Sequence, residues 1–134
     1  MKKHKITKKK YDSRVYKNWV NSLETWSFDS KYLFDLVRRG KKQATSYLYE
    51  ENDLFNEYSV LKEGNRKLLL KTTKIEIKKF KDVSEKFALK EGEGDSTLDY
   101  WRKAHREFFA KELNGCFNED IKIVCEEFKV VSKI

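Results

Sequence analysis

"RKLLLKTTKIEIKKF", Arg66 to Phe80, is the stretch on which the fold turns. It is long, rich in β-branched residues, and sets Ile75 and Ile77 on one side with Lys74, Glu76 and Lys78 on the other. That two-residue period is the mark of a strand with one face toward a core. Upstream, "TSYLY" (Thr45–Tyr49) and "EYSVLK" (Glu57–Lys62) read as shorter strands, and downstream "IKIVCEEFKVV" (Ile121–Val131) reads as a last one. Helices surround them. Val15, Trp19, Val20, Leu23 and Trp26 share one face of a helix predicted from about Ser13 to Glu24. "SFDS" breaks it, and Asp29 or Ser30 caps a second helix carrying Leu33, Leu36 and Val37 and stopped by Gly40. "VSEKFALKE" is a short helix with Val83, Phe87 and Ala88 inward. This order predicts a small α+β domain, a curled sheet or barrel with helices against it.

The chain has 134 residues, one domain's worth, with 39% apolar and 14% aromatic residues. Disordered chains have fewer of both, so a folded domain is expected despite 39% charged residues. No apolar run reaches the roughly 18 residues of a membrane span. The basic N-terminus lacks a following apolar segment, so no signal peptide is expected. Cys116 and Cys125 are then expected to be reduced thiols, and the protein to be soluble and cytoplasmic. The formal charge is +8, but the six lysines of "MKKHKITKKK" supply most of it, leaving +2 for the other 124 residues (+8 minus 6). Residues 1–11 therefore read as a basic disordered tail and 12–134 as a single domain. A solvated terminus and a nonspecific phosphate contact are both consistent with such a tail.

"KFALKEGEGDSTLDYWRKAHREFF", Lys86 to Phe109, carries the most chemistry. "EGEGDSTLDYWR" lacks the alternating oxygen ligands and terminal Glu of a calcium loop. Only His4 and His105 accompany the two cysteines, so no tetrahedral zinc set is visible. "GEG" lacks the Gly-Lys-Ser/Thr ending of a phosphate-binding loop. No metal and no cofactor are expected. Ser96 followed by Asp99 resembles a capping box, with Asp95 adding favourable charge at the helix start. Leu98, Trp101, His105, Phe108 and Phe109 then form a predicted buried stripe, ended by Asn114-Gly115. Capping leaves Glu91, Glu93 and their glycines unexplained. His105 is either a core-edge residue or the rim of a cleft beside those carboxylates.

Taken together, Gly40-Lys41-Lys42-Gln43-Ala44-Thr45, Thr72-Thr73-Lys74-Ile75-Glu76 with Phe80 and Val83, "EKFALKEGEGDSTLDYWRKAHREFF" and "EDIKIVCEEFKVV" resemble the ASCH family. The likeness runs from about residue 15 to 132. It implies a small PUA-like β-barrel of about five to six strands flanked by helices, and association with RNA. One departure is Asn56-Glu57, where the family usually has Gly-Asp.

A shorter branch of that family removes the acetyl group from N4-acetylcytidine with a Lys, a Thr and a Glu. The resemblance puts these on Lys42, Thr45 and Glu91. A branch closer in layout has been described as a ribonuclease that uses the second Lys of the same motif. The chemistry is coherent: a Thr hydroxyl needs a base to become a nucleophile, and a lysine serves only if its pKa falls. Lys42 and Thr45 can cooperate only if Lys42 lies in the loop after Gly40 and not in the strand. One reading is thus a metal-independent hydrolase acting on acylated cytidine nucleosides or RNA. The other is a binding module for RNA or a nucleotide. In it Tyr47, Tyr49 or Trp101 would stack on bases, Lys41, Lys42 or Arg102 would meet phosphate, and Glu93 and His105 would border the cleft.

Overall fold

Arg66–Lys79 is a single fourteen-residue strand, and the other strands are built on it. The structure, a computed structural model, describes residues 13–134. The basic tail expected over residues 1–11 lies outside the described residues. In chain order the elements are α1 (Ser13–Ser22), β1 (Thr25–Trp26), α2 (Lys31–Arg38), β2 (Ala44–Leu48), β3 (Tyr58–Glu63), β4 (Arg66–Lys79), a 3-10 turn (Phe80–Asp82), α3 (Glu85–Glu91), α4 (Leu98–Glu112) and β5 (Lys122–Lys133). The fold is α+β.

The strands form one sheet in the order β1-β3-β4-β5-β2. β4 pairs antiparallel with β3 through its first half and with β5 along nearly its whole length. Register shifts at Leu69/Leu70 and Thr72/Lys74 interrupt that second ladder. Such irregularities bend a strand and increase its twist. The sheet is not a closed barrel: β1 joins β3 in parallel through two residues, and among the described residues β2 pairs only with β5 and no ladder links the two edges. Trp26 of β1 and Thr45, Ser46 and Tyr47 of β2 instead line a common cavity. The two-residue β1 was not anticipated, because so short a parallel pairing has no periodic signature.

Two apolar cores hold the sheet. Phe34 and Val37 of α2 pack with Leu61, Leu68, Leu70 and Phe128. Phe80, Val83, Phe87, Trp101 and Phe109 join Ala44, Ile123 and Cys125. Phe80 is fully buried, with the rings of Trp101, Phe109 and Phe117 around it. Burying one such side chain is worth about 1.5–3 kcal/mol.

Several local expectations are corrected. α1 ends at Ser22, and its apolar face is only partly used, with Val15 and Trp19 exposed and Trp19 edge-on to Tyr58 at 5.3 Å. α4 is capped by Thr97, whose hydroxyl accepts from the Tyr100 N–H; Ser96 has φ +64. Asp95 acts one step earlier, accepting from the Thr97 N–H and hydroxyl. Phe108 leaves the buried stripe and is 53% exposed. Cys116 and Cys125 are both free thiols. No described helix is long and apolar enough to cross a membrane.

Candidate functional site

α2 closes with an Arg39 cap and Gly40 at φ +80, so the chain reverses before β2 begins. Both Lys41 and Lys42 donate their backbone N–H to the Leu36 carbonyl, and Gln43 donates to the Lys90 carbonyl at 2.7 Å. This short loop is therefore fastened to α2 on one side and to the last turn of α3 on the other. Lys42 does precede the strand. α3 ends at Gly92, in the left-handed conformation at φ +63, beside the Lys41 carbonyl. A side chain there would collide with that backbone oxygen, so glycine is what lets the two segments touch.

Contact between these segments brings Lys42 and Glu91 together, each 1% exposed. Lys42 Nζ lies 2.7 Å from Glu91 Oε1 and 2.6 Å from Glu93 Oε2. The second Glu91 oxygen, Oε2, accepts from the Ser46 hydroxyl at 2.6 Å and from Trp101 Nε1 at 2.7 Å. His105 Nε2 stands 3.5 Å from the same oxygen, while its Nδ1 is 2.9 Å from the Trp101 carbonyl. A carbonyl only accepts, so Nδ1 carries the proton of that bond. The Trp101 and His105 rings stack at 4.3 Å. Both oxygens of Glu91 are thereby engaged, which is what a buried carboxylate requires.

Electrostatics divide the two carboxylates. Burial alone would raise Glu91, but Lys42 beside it, then the His105 position and the Lys42 and Ser46 hydrogen bonds, hold its pKa below the usual value. Glu93 is pushed up: burial and the Glu91 charge outweigh the attraction of Lys42. Glu91, Glu93 and His105 present ligand atoms within 4.8 Å of one another. The Lys42 ammonium already supplies a positive charge between the two carboxylates, so a metal ion there would have to displace it.

Next to this cluster, with Ser46 common to both, lies a cavity of about 460 Å³. Thr45, Ser46 and Tyr47 form one wall, and Trp26, Phe28 and Ser59 another. Phe28 bridges the two regions: it lines the cavity and carries the Lys42 ammonium 5.4 Å from its ring centre. Thr45 is 9% exposed, and among the described residues no hydrogen bond engages its hydroxyl. The Tyr47 hydroxyl donates to Glu126 Oε1 at 3.0 Å, and Thr72 donates to Glu126 Oε2 at 2.7 Å.

Lys42, Glu91, Glu93, Trp101 and His105 thus converge, with Thr45 and Tyr47 on the adjoining cavity wall. Lys41 is exposed at the loop, and Arg102 turns away to donate to the Lys81 carbonyl at 3.2 Å. Sequence reasoning missed Ser46, Phe28 and Glu126. A serine inside a buried strand was the available signal for Ser46, whereas Phe28 and Glu126 are brought in by chain reversals that leave no local trace.

Comparisons with known proteins identify the family and the fold. The family model for the ASCH domain matches residues 24–132. The crystal structure of an ASCH domain from Lactobacillus crispatus JV V101 is 31% identical, with a TM-score of 0.74, covering 90% of this chain and 86% of its own. A protein from Enterococcus faecalis V583 is 29% identical with a TM-score of 0.73, covering 91% of this chain and 93% of its own. A V-type proton ATPase component from Borrelia duttonii (strain Ly) is 30% identical over 114 residues, 81% of this chain; the chain spans only 57% of that relative's length. The match over residues 24–132 takes in every element from β1 to all but the end of β5, and the chain belongs to the ASCH domain family.

Proposed function

We propose that the protein is a metal-independent amide hydrolase acting on an acylated nucleobase of the cytidine type, with Thr45 as nucleophile. The observation that carries this reading is the hydroxyl of Thr45, a residue 9% exposed, without a hydrogen-bond partner among the described residues and bordering a cavity. Its oxygen is not sealed off, since Ser132 Oγ is the buried side-chain atom left without a partner among the described residues, and at the cavity wall the Thr45 hydroxyl is available to a ligand.

In the resting arrangement Lys42 is an ammonium between two carboxylates and is no base. It can act as one only once a proton has left, and Glu93, whose pKa is raised by burial, is the better acceptor of the two carboxylates. The neutral amine would then take the Thr45 proton as the hydroxyl oxygen adds to the acyl carbon. Collapse of the adduct returns that proton to the departing base amine, and water releases the acyl group from Thr45. Glu91 stays ionised throughout, holding Lys42, Ser46 and Trp101 in place.

The test is release of cytidine from N4-acetylcytidine by the purified protein, with Thr45→Val alongside. Release that disappears in the variant supports the reading; no release, or release that survives in Thr45→Val, overturns it. A second reading, a module that binds a base without turning it over, is favoured by the complete pairing of Lys42. It expects intact ligand to be recovered after binding.

A further inference from the structure

The cavity beside Thr45 has an unusual charge for this chain. Glu24, Asp53, Glu112 and Glu126 line it, and among the described residues no lysine or arginine does. None of the four carboxylates forms an ion pair with a described residue. Lacking an ion pair is common among the described carboxylates, but the paired ones, such as Asp35 with Arg38 and Arg66 and Asp120 with Lys81, lie elsewhere. Flat aromatic faces alternate with the acids: Trp26 and Phe28 from the β1 segment, Phe55 from the loop before β3, and Phe108 from α4. Three of the acids act on one point, since burial and then the charges of Glu126, Asp53 and Glu24 drive the Tyr47 phenol well above its ordinary pKa. An acidic cluster alone could be a solvated surface, but here Thr45, 9% exposed and with its hydroxyl unpartnered among the described residues, borders the same space.

We propose that this cavity selects a planar, amidinium-like cation and rejects phosphate. Carboxylates accept paired N–H donors, and aromatic faces attract a delocalised positive charge. A phosphate brought among four carboxylates, with no lysine or arginine among the described lining residues, would meet net repulsion. Cytosine, the base that deacylation would release, presents such an edge when protonated on N3, through N3–H and its amino group. The proposal therefore concerns the product side of the hydrolase reading and rests on that reading only for the identity of the base. Any contact with an RNA backbone must come from other faces of the molecule.

Benzamidine, benzamide and benzoate have nearly the same shape and carry positive, no and negative charge. Each is titrated into the full chain while tryptophan fluorescence is followed. Benzamidine is expected to bind at least tenfold more tightly than benzoate, with benzamide between them. Asp53→Asn and Glu112→Gln, both in solvent-accessible positions, are expected to cut the preference for benzamidine over benzamide to below threefold while leaving benzamide unchanged. Equal binding of benzamidine and benzoate, no binding of any of the three, or a preference untouched by the variants would each overturn the proposal. Because binding is read without turnover, these outcomes stand apart from the hydrolysis test: benzamidine can bind where N4-acetylcytidine is not cleaved, and the reverse.

Discussion

Lys42 and Glu91, forty-nine positions apart in the chain, meet at 2.7 Å in a setting where each side chain is all but inaccessible to water. The pair joins the loop after α2 to the end of α3, and through Ser46 and Trp101 it reaches β2 and α4. Four elements thus depend on one carboxylate.

Removing one member of a buried ion pair leaves the other charged and uncompensated, which typically costs about 3–5 kcal/mol. Lys42→Met is expected to lose stability on that scale, measured as a shift in urea midpoint. Lys42→Met combined with Glu91→Gln should recover part of the loss, because the fully buried charge has gone with its partner. A single variant as stable as the parent would mean that the pair contributes no structural constraint.

The two carboxylates are expected to act oppositely with pH. Glu91 has a folded pKa below its unfolded value of about 4.5, so its contribution is present above that pH and is lost as pH falls through the folded value. Glu93 has a raised folded pKa, so its contribution is present below about 4.5 and is lost as pH rises through the folded value. Urea midpoints from pH 4 to 8 are expected to fall at the acid end in the parent. Glu93→Gln should flatten the profile above pH 4.5 and leave the acid fall in place. A Glu93→Gln profile parallel to the parent's would contradict the assignment.

Neighbouring hydroxyls on β2 separate structure from chemistry. Ser46 donates to the ionised Glu91, and a hydrogen bond to a charged group is worth about 1.5–3 kcal/mol, so Ser46→Ala should lose about that much stability. Thr45 has no such bond, and Thr45→Val keeps its shape, so its stability should change by less than about 1 kcal/mol. Activity is expected to fail in Thr45→Val at full stability. Were the two variants to lose stability equally, Thr45 would be a structural residue.

How much of this was legible in the sequence follows from the range of each signal. Strands β2 to β5 and helices α2 to α4 have a period or a cap within a few residues of themselves, and all were anticipated to within a few positions. The spacing of Ser96 to Asp99 points to Ser96 as the cap; its positive φ places Thr97 there instead, and backbone handedness is not written in residue spacing. Closure of the sheet is a property of pairing between β1 and β2, which are far apart in sequence, and the open edge was not foreseeable from either. The grouping of Lys42, Thr45 and Glu91 came from resemblance to a family. Periodicity puts Lys42 outside the strand, but nothing local to residues 40–45 points to residue 91.

Gly92 is where that long-range contact is most exposed to a single substitution. Its φ of +63 disfavours any side chain, and a Cβ would run into the Lys41 carbonyl, a backbone atom that cannot turn aside. Both effects act on the folded state, so Gly92→Ala is expected to cost more than about 1 kcal/mol, against the small gain the same change gives where the conformation allows it. The backbone must open between Lys41 and Glu91, which lengthens the Lys42–Glu91 contact without altering either residue. Gly94→Ala provides the comparison. There the added methyl would meet the Tyr100 ring, an exposed side chain that can move, and Lys42 is not involved. If Gly92 holds the site through backbone approach, Gly92→Ala loses far more hydrolytic activity than Gly94→Ala once both are compared at equal folded fraction. Equal losses would show that the loop matters only for stability.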